Sequence, residues 1–196
     1  LSQLYNENKR GIKAGYAKYE TFPVWNLELK DPVNLAYEAA TADLNDINMI
    51  DPYHLKAYGV TTVNYNRDIE IFPVLNAIFE KISGKSPYKS PTDMGVNMLG
   101  FCMSDEDGCC NAAREEIIRR YYYALCNLAE KGANENEVNK IALILKQAKL
   151  TTEYRRTTVA AHQRKDIYGV HTAAIELQDG TIITSQTSSL LGPSAA

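Results

Sequence analysis

The segment from Lys89 to Asn97 sets a cation, two hydroxyls, a carboxylate, a glycine and a carboxamide side by side. It lies inside a stretch, 85–101, that has prolines at Pro87 and Pro91, glycines at Gly95 and Gly100, and no helical or strand period. Such a stretch reads as an ordered loop, and loops of this length usually serve a purpose. Lys89 and Asp93 are therefore the candidate catalytic pair, with Lys89 stabilising charge and Asp93 handling a proton or a phosphate-bound cation. Thr92 and Asn97 are candidate substrate contacts, and Gly95 allows close backbone approach. The competing reading is a rigid connector whose Asp and Thr satisfy their own backbone, and for residues of these types it is the commoner outcome.

A second candidate is Arg67, within Asn64-Tyr65-Asn66-Arg67-Asp68. Its guanidinium offers two parallel donors to a phosphate or carboxylate. In the structural alternative, Asn66 caps a helix while Arg67 pairs with Asp68 or Glu70. Together the candidates point to an enzyme acting on a nucleotide or a phosphorylated small molecule, with a nucleotide and a divalent cation as the cofactors to consider. That reading expects Arg67, Lys89 and Asp93 to converge on one cleft. The rival is a non-catalytic binding or oligomerisation module, in which Tyr-rich helices form a subunit interface and the chain is a homo-oligomer.

Several familiar chemistries find no support. Gly84-Lys85-Ser86 has the tail of a phosphate-binding P-loop, but Phe79 stands where the first glycine is needed and a helix precedes it where the motif needs a strand. His54, His162 and His171 are followed by Leu55, Gln163 and Thr172, so no His-Glu-x-x-His zinc-protease pair exists. Cys102, Cys109, Cys110 and Cys126 lack the close Cys pair of a zinc knuckle, and no metal site is assigned. Arg119-Arg120 before Tyr121-Tyr122-Tyr123 would stack on a base only if consecutive helical residues shared a face, which they do not.

Composition sets the outer limits. The chain has 196 residues, 45% of them hydrophobic, and a formal net charge of −3. It can bury a core, and it carries no block of basic residues for a nucleic-acid polymer or a membrane surface. Apolar runs such as Ile141 to Leu145 fall far short of the roughly 20 residues that span a bilayer. Thirteen tyrosines against four phenylalanines imply a partly polar interior, because a buried phenol needs a partner. Cysteines confined to one region fit a thiol-state, cytoplasmic protein better than a disulfide framework.

The elements that must position these residues follow from caps and periodicity. Leu1 to Arg10, closed by Gly11, reads as the last turns of a helix, and Gly15 to Phe22 as a strand. Asp31-Pro32 and Asp51-Pro52 each set a capping carboxylate before a first-turn proline, so helices are expected to about Leu44 and to Gly59. Apolar positions Ile71, Phe72, Leu75, Ile78, Phe79 and Ile82 predict a helix over 66–82, with Pro73 marking its first turn or kinking it. A capping box at Ser104 to Asp107 opens a long helix that buries Cys110, Ala113, Ile117, Tyr121, Ala124 and Leu128 and ends at Gly132. On its solvent side Glu115 pairs with Arg119 and Glu116 with Arg120. Another helix follows Asn134, burying Val138, Ile141, Leu145 and Ala148, and one more begins near Thr151. Asp179-Gly180 as a two-residue type I′ turn sets Leu177 opposite Ile182 and Ile175 opposite Thr184. The fold class is thus α/β: a helix-rich segment with few strands, completing a three-layer nucleotide-type domain, plus a β-hairpin. The divisions are 1–30, the end of an upstream αβ unit; 31–168, mainly helical; and 169–196, a hairpin opening a further α/β portion. Both ends read as interrupted elements.

Longer strings carry a resemblance. Leu1 to Tyr5, Gly11 to Lys18, Pro32 to Leu44, Val63 to Asp68, Ser90 to Asn97 and Glu116 to Tyr122 resemble, in order, a bacterial family known as the domain of unknown function 1846 family. Its members are longer, and this segment is similar to their middle. The resemblance implies a cytosolic α/β protein with a glycine-rich, phosphate-loop-like stretch just upstream of Leu1. It supplies no reaction and no catalytic residues. Labels of ATP-dependent peptidase and zinc protease attached to the family find no support in these residues.

Overall fold

The computed structural model describes residues 1–17, 23–95, 99–132 and 135–196. Two compact units divide the chain, Leu1–Ala148 and Lys149–Ala196. The boundary falls within the stretch read above as one helical section.

In the first unit, α1 (Ser2–Lys9) ends as its sequence predicts. Gly11 takes φ +83°, and the Gly11 and Ile12 amides return to the carbonyls of Asn8 and Glu7, closing the helix in a Schellman motif. Residues 15–17 are not a strand: the Tyr88 hydroxyl accepts from the Tyr16 amide at 2.6 Å and donates to the Tyr16 carbonyl at 2.5 Å. One phenol thus does locally what a neighbouring strand would do. The rest of the expected strand lies outside the described residues.

Helix α2 (Pro32–Ala40) is capped by Asp31, whose carboxylate accepts from the Val33 amide at 2.8 Å. It stops earlier than expected, and a 3₁₀ turn at Ala42–Leu44 carries the chain to Asn45 in the left-handed region. Strand β1 (Asn48–Ile50) follows, then α3 (Pro52–Tyr58) and β2 (Val63–Tyr65). The strands pair antiparallel, with Met49 opposite Asn64. Both are too short and too rich in Asn to show a period of two. Helix α4 (Asn66–Ser83) starts directly from β2 and ends at Gly84. Pro73 sits inside α4 on its exposed side, and its missing N–H leaves the Ile69 carbonyl without its helical donor. Ile69, Phe72 and Phe79 are the buried positions, whereas Ile71 stays 43% exposed.

Helix α5 (Glu106–Lys131) is capped by Asp105 and not by Ser104: the Asp105 carboxylate accepts from the Gly108 amide at 2.8 Å. An ionised acceptor beside the helix's positive end makes the stronger cap. Ala113, Ile117, Ile118 and Ala124 face inward, and Cys110, Tyr121 and Leu128 are only partly covered. Arg119 turns to Glu116 and not to Glu115, so Glu116 holds both Arg119 and Arg120. Helix α6 (Glu135–Gln147) buries Ile141, Ile144 and Leu145; the proposed cap Asn134 is outside the described residues. Leu35 and Ala39 of α2 join α5 and α6 in one core, while Leu4, Phe72, Phe79 and Met94 form another beneath the 88–95 loop.

The second unit holds a 3₁₀ turn, Thr152–Tyr154, then α7 (Arg156–Tyr168), β3 (Thr172–Glu176) and β4 (Ile182–Gln186). The hairpin exists, but its register differs from the expected one: Ile175 pairs with Ile183 and Ala174 with Thr184. The Gly180 amide bonds to the Leu177 carbonyl, and the Leu177 amide to the Thr181 carbonyl. Gly180 alone takes a positive φ, +82°. This is a three-residue loop with a glycine bulge, because Asp179 stays out of the left-handed region that type I′ demands. The chain is a helix-rich α/β protein, and among the described residues its strands form two small antiparallel sheets. Among the described residues no helix is long and apolar enough to cross a membrane.

Candidate functional site

Two local proline rules decide the site's geometry. Pro52 starts α3 just after Asp51, and Pro91 starts the 3₁₀ turn Thr92–Met94 just after Ser90. The two starts meet. The Asp51 carboxylate, fully buried, accepts from the Tyr53 and His54 amides at 2.9 and 3.0 Å with one oxygen. With the other it accepts from the Thr92 amide at 3.2 Å and the Thr92 hydroxyl at 2.6 Å. Thr62 reaches the Thr92 hydroxyl at 3.2 Å. One carboxylate therefore caps one helix and anchors the loop.

Ser90 and Asp93 form a reciprocal capping box. The Ser90 amide donates to Asp93 Oδ2 at 3.1 Å, and the Asp93 amide donates to Ser90 Oγ at 3.2 Å. Asp93 Oδ2 also accepts from the Lys89 amide at 2.8 Å and the Tyr58 hydroxyl at 3.0 Å. The Lys89 ammonium lies 5.3 Å from the centre of the Tyr58 ring, at cation–π range. His54 Nδ1 stands 2.9 Å from Ser90 Oγ and 3.6 Å from Asp93 Oδ1. A serine, a histidine and an aspartate thus come together, but both oxygens crowd the same ring nitrogen. A proton relay needs the nucleophile on one nitrogen and the carboxylate on the other. Ser90 is moreover 0% exposed and cannot reach a substrate.

Arg67 belongs to a different wall of the same loop. Its Nη2 meets Asp46 Oδ2 at 2.9 Å, and its guanidinium carbon lies 5.4 Å from the centre of the Tyr65 ring. Asp46 is 2% exposed on its side chain, whereas Arg67 is 57% exposed. Lys140 holds Asp46 from behind, donating to its carbonyl at 2.6 Å. Nearby, burial raises the Glu38 carboxyl above its ordinary value against the Asn48 amide and Lys140, and burial lowers the Lys140 ammonium against Glu38 and Asp46. Arg67 lines a cleft of about 250 Å³ together with Tyr16, Tyr65, Asp68, Ile71 and Leu75, and the loop contributes Pro91 and Met94.

The structure thus gathers Lys89, Thr92 and Asp93 around α3, and sets Arg67 on a cleft that Lys89 and Asp93 do not line. Asn97 lies outside the described residues. Among the described residues no group of three or more His, Cys, Asp or Glu side chains comes together as a metal cage. Sequence reasoning missed Asp46, Asp51, His54, Tyr58 and Ser90 as members of these networks. Asp51 did signal itself as a cap; nothing local announced that its second oxygen would take Thr92.

Among the described residues the chain is a helix-rich α/β protein with two loop-centred polar networks and a cleft beside Arg67. The chain belongs to the family described as domain of unknown function DUF1846, whose N-terminal part matches residues 1–149. That span nearly coincides with the first compact unit. The chain is 56% identical over its whole length to a UPF0371 protein of Streptococcus pyogenes serotype M5 (strain Manfredo), covering 40% of that protein. It is 54% identical to a UPF0371 protein of Corynebacterium urealyticum, covering 39% of it. The chain therefore spans about two fifths of the length of these curated relatives.

Proposed function

We propose that this chain recognises a phosphorylated small molecule or nucleotide for a larger enzyme, with Arg67 as the phosphate clamp. The observation that carries this reading is the held guanidinium: Asp46 and Tyr65 fix Arg67, whose side chain is 57% exposed and lines a cleft of about 250 Å³. A donor fork held in place before the ligand arrives loses little entropy on binding. Lys89 and Asp93 lie on the α3 side of the loop and do not line that cleft, so they would stabilise charge or handle a proton only for a ligand that reaches past Pro91 to that side. The Ser90–Asp93 capping box favours a second reading, in which the loop is a structural corner and the chain binds without catalysing.

The discriminating experiment is a thermal-shift screen of nucleotides and phosphorylated small molecules on the wild-type chain and on Arg67→Ala and Lys89→Ala. At a ligand concentration of about a hundred times Kd, binding adds roughly 2.7 kcal/mol to stability. A shift lost with Arg67→Ala supports the clamp. Loss with Lys89→Ala as well supports the enzyme, and retention there supports the module. The absence of any Arg67-dependent shift rejects the assignment.

A cytoplasmic setting and a homo-oligomeric state belong to the same proposal. Four cysteines present as free thiols, three of them exposed, support the first. Exposed tyrosines such as Tyr123 on α5 support the second.

A further inference from the structure

Away from both polar networks, α1 and α4 end side by side, and the Asn8 carboxamide of α1 donates to the Ser83 hydroxyl of α4 at 3.3 Å. The two chain exits enclose a cavity of about 520 Å³, within the range of roughly 300–1,000 Å³ typical of small-molecule sites. Lys13 lines it from the α1 exit and Lys85 from the α4 exit, and no carboxylate is among its described lining residues. Neither ammonium has an ion pair or a hydrogen bond among the described residues. The surround has the same sign. Over 7–15 and 80–87 there are five cations and two carboxylates, in a chain whose formal net charge is −3. Both carboxylates are engaged: Glu7 pairs with Arg10 at 3.2 Å, and Glu80 accepts from the Asn76 carboxamide at 3.3 Å. Carbonyls at helix C-termini repel anions, but here the amides of Arg10, Gly11, Ile12 and Gly84 take those of Asn6, Asn8, Glu7 and Glu80. The amides of Lys13, Ala14 and Gly15 have no acceptor among the described residues.

We propose that the cavity at the ends of α1 and α4 is a second ligand site, for a small phosphate compound that carries more than one negative charge. Its oxygens take Lys13 and Lys85, and the Ser83 hydroxyl, which accepts from Asn8, keeps its own proton to donate. Multiple charge matters because both lysines are exposed, and a single exposed ion pair contributes little. Two cations acting on one polyanion add their attractions where neither alone would hold a ligand. Each lysine is a point charge on a flexible stem, which suits the many orientations of a phosphate better than the fixed plane of a carboxylate. The site shares no lining residue with the Arg67 cleft, so it stands whether or not Arg67 clamps a phosphate.

Inorganic pyrophosphate, inorganic phosphate and citrate, titrated at low salt and followed by calorimetry and NMR shift mapping, test the assignment. Pyrophosphate should bind roughly tenfold tighter than phosphate, the size of one charge-assisted hydrogen bond, and should move the amides of 11–15 and 83–86. Lys13→Gln and Lys85→Gln should each weaken pyrophosphate by roughly five- to tenfold. Lys9→Gln and Lys81→Gln alter nearby charges that do not line the cavity, and should change its affinity by less than about twofold. Arg67→Ala should leave the shifts at 11–15 and 83–86 in place. Citrate binding as tightly as pyrophosphate, or equal loss in all four lysine variants, would mean diffuse attraction to a basic surface and overturns the proposal. Shifts that centre on Arg67 and vanish with Arg67→Ala overturn it too, while supporting the clamp. No pyrophosphate binding at all overturns it and leaves the clamp to its own screen. All four lysines are exposed, so the variants should fold as the wild type does, which urea unfolding verifies.

Discussion

Asp51 Oδ2 and Thr92 Oγ1 meet at 2.6 Å across forty-one positions of sequence, and this bond ties the start of α3 to the loop that carries Lys89 and Asp93. The Asp51 carboxylate is fully buried with an acceptor duty on each oxygen. It holds a helix cap and a tertiary contact in one group.

Asp51→Ala should therefore cost more than an ordinary cap, about 2–4 kcal/mol, because it also strands the Thr92 amide. Asp51→Asn keeps one acceptor for the Tyr53 and His54 amides but turns an NH₂ toward the Thr92 N–H, and should cost about half as much. Urea unfolding of the two variants orders them. No loss in Asp51→Asn would mean that the Thr92 contact contributes nothing, and equal loss in both that the cap on Tyr53 and His54 contributes nothing.

Tyr88→Phe removes the hydroxyl that serves both the amide and the carbonyl of Tyr16, leaving the ring against Phe79. The expected loss is about 1–2 kcal/mol, and exchange of the Tyr16 amide should quicken. Hydrogen exchange read by NMR checks the second part. Unchanged protection at Tyr16 would show that water replaces the phenol at no cost.

Glu116 sits between Arg119 and Arg120 on α5, and its carboxyl is pulled from an ordinary 4.5 to about 2 by the hydrogen bond from Arg119, against some burial, with Arg120 adding to it. A depressed carboxyl pKa gives stability that is present above the unfolded value and lost as pH falls through the folded one. Because a third of the side chain is exposed, solvent screening leaves about 1 kcal/mol at neutral pH. Glu116→Gln should lose that amount at pH 7, and the gap to wild type should narrow between pH 4.5 and 2. Urea unfolding at successive pH values reads the gap directly.

Glu38 predicts the opposite sign. Burial raises its carboxyl, so the ionised form is disfavoured in the fold and stability falls as pH rises through the unfolded and then the folded value. Glu38→Gln retains an acceptor for the Asn48 amide and removes the buried charge. It should leave stability at pH 7 equal or higher by up to about 1 kcal/mol, with no difference well below pH 4. A clear loss at pH 7 would mean that the attraction to Lys140 outweighs desolvation.

Local chemistry determined a large share of this fold. Asp31-Pro32 and Asp51-Pro52 start helices, Gly11, Gly59, Gly84 and Gly132 end them, and the apolar positions at Phe72, Phe79, Ile117 and Ile141 point inward. Each of these rests on a cap, a dihedral or a period that acts within a few residues, so the sequence states it directly. Tertiary contact decided the remainder. Strands β1 and β2 pair across the intervening helix α3, with the Asn48 carboxamide donating to the Asn34 carbonyl of α2, and the hairpin at Gly180 took a bulge that shifted Ile175 onto Ile183. The site divides in the same way. Lys89, Thr92 and Asp93 could be singled out as residues, but their attachment to Asp51, His54 and Tyr58, and the separate cleft of Arg67 with Asp68, required positions far apart in sequence to meet. Side-chain hydrogen bonds and charge pairs fix such meetings only after the backbone has brought the partners within about 3 Å, and no local pattern encodes that approach.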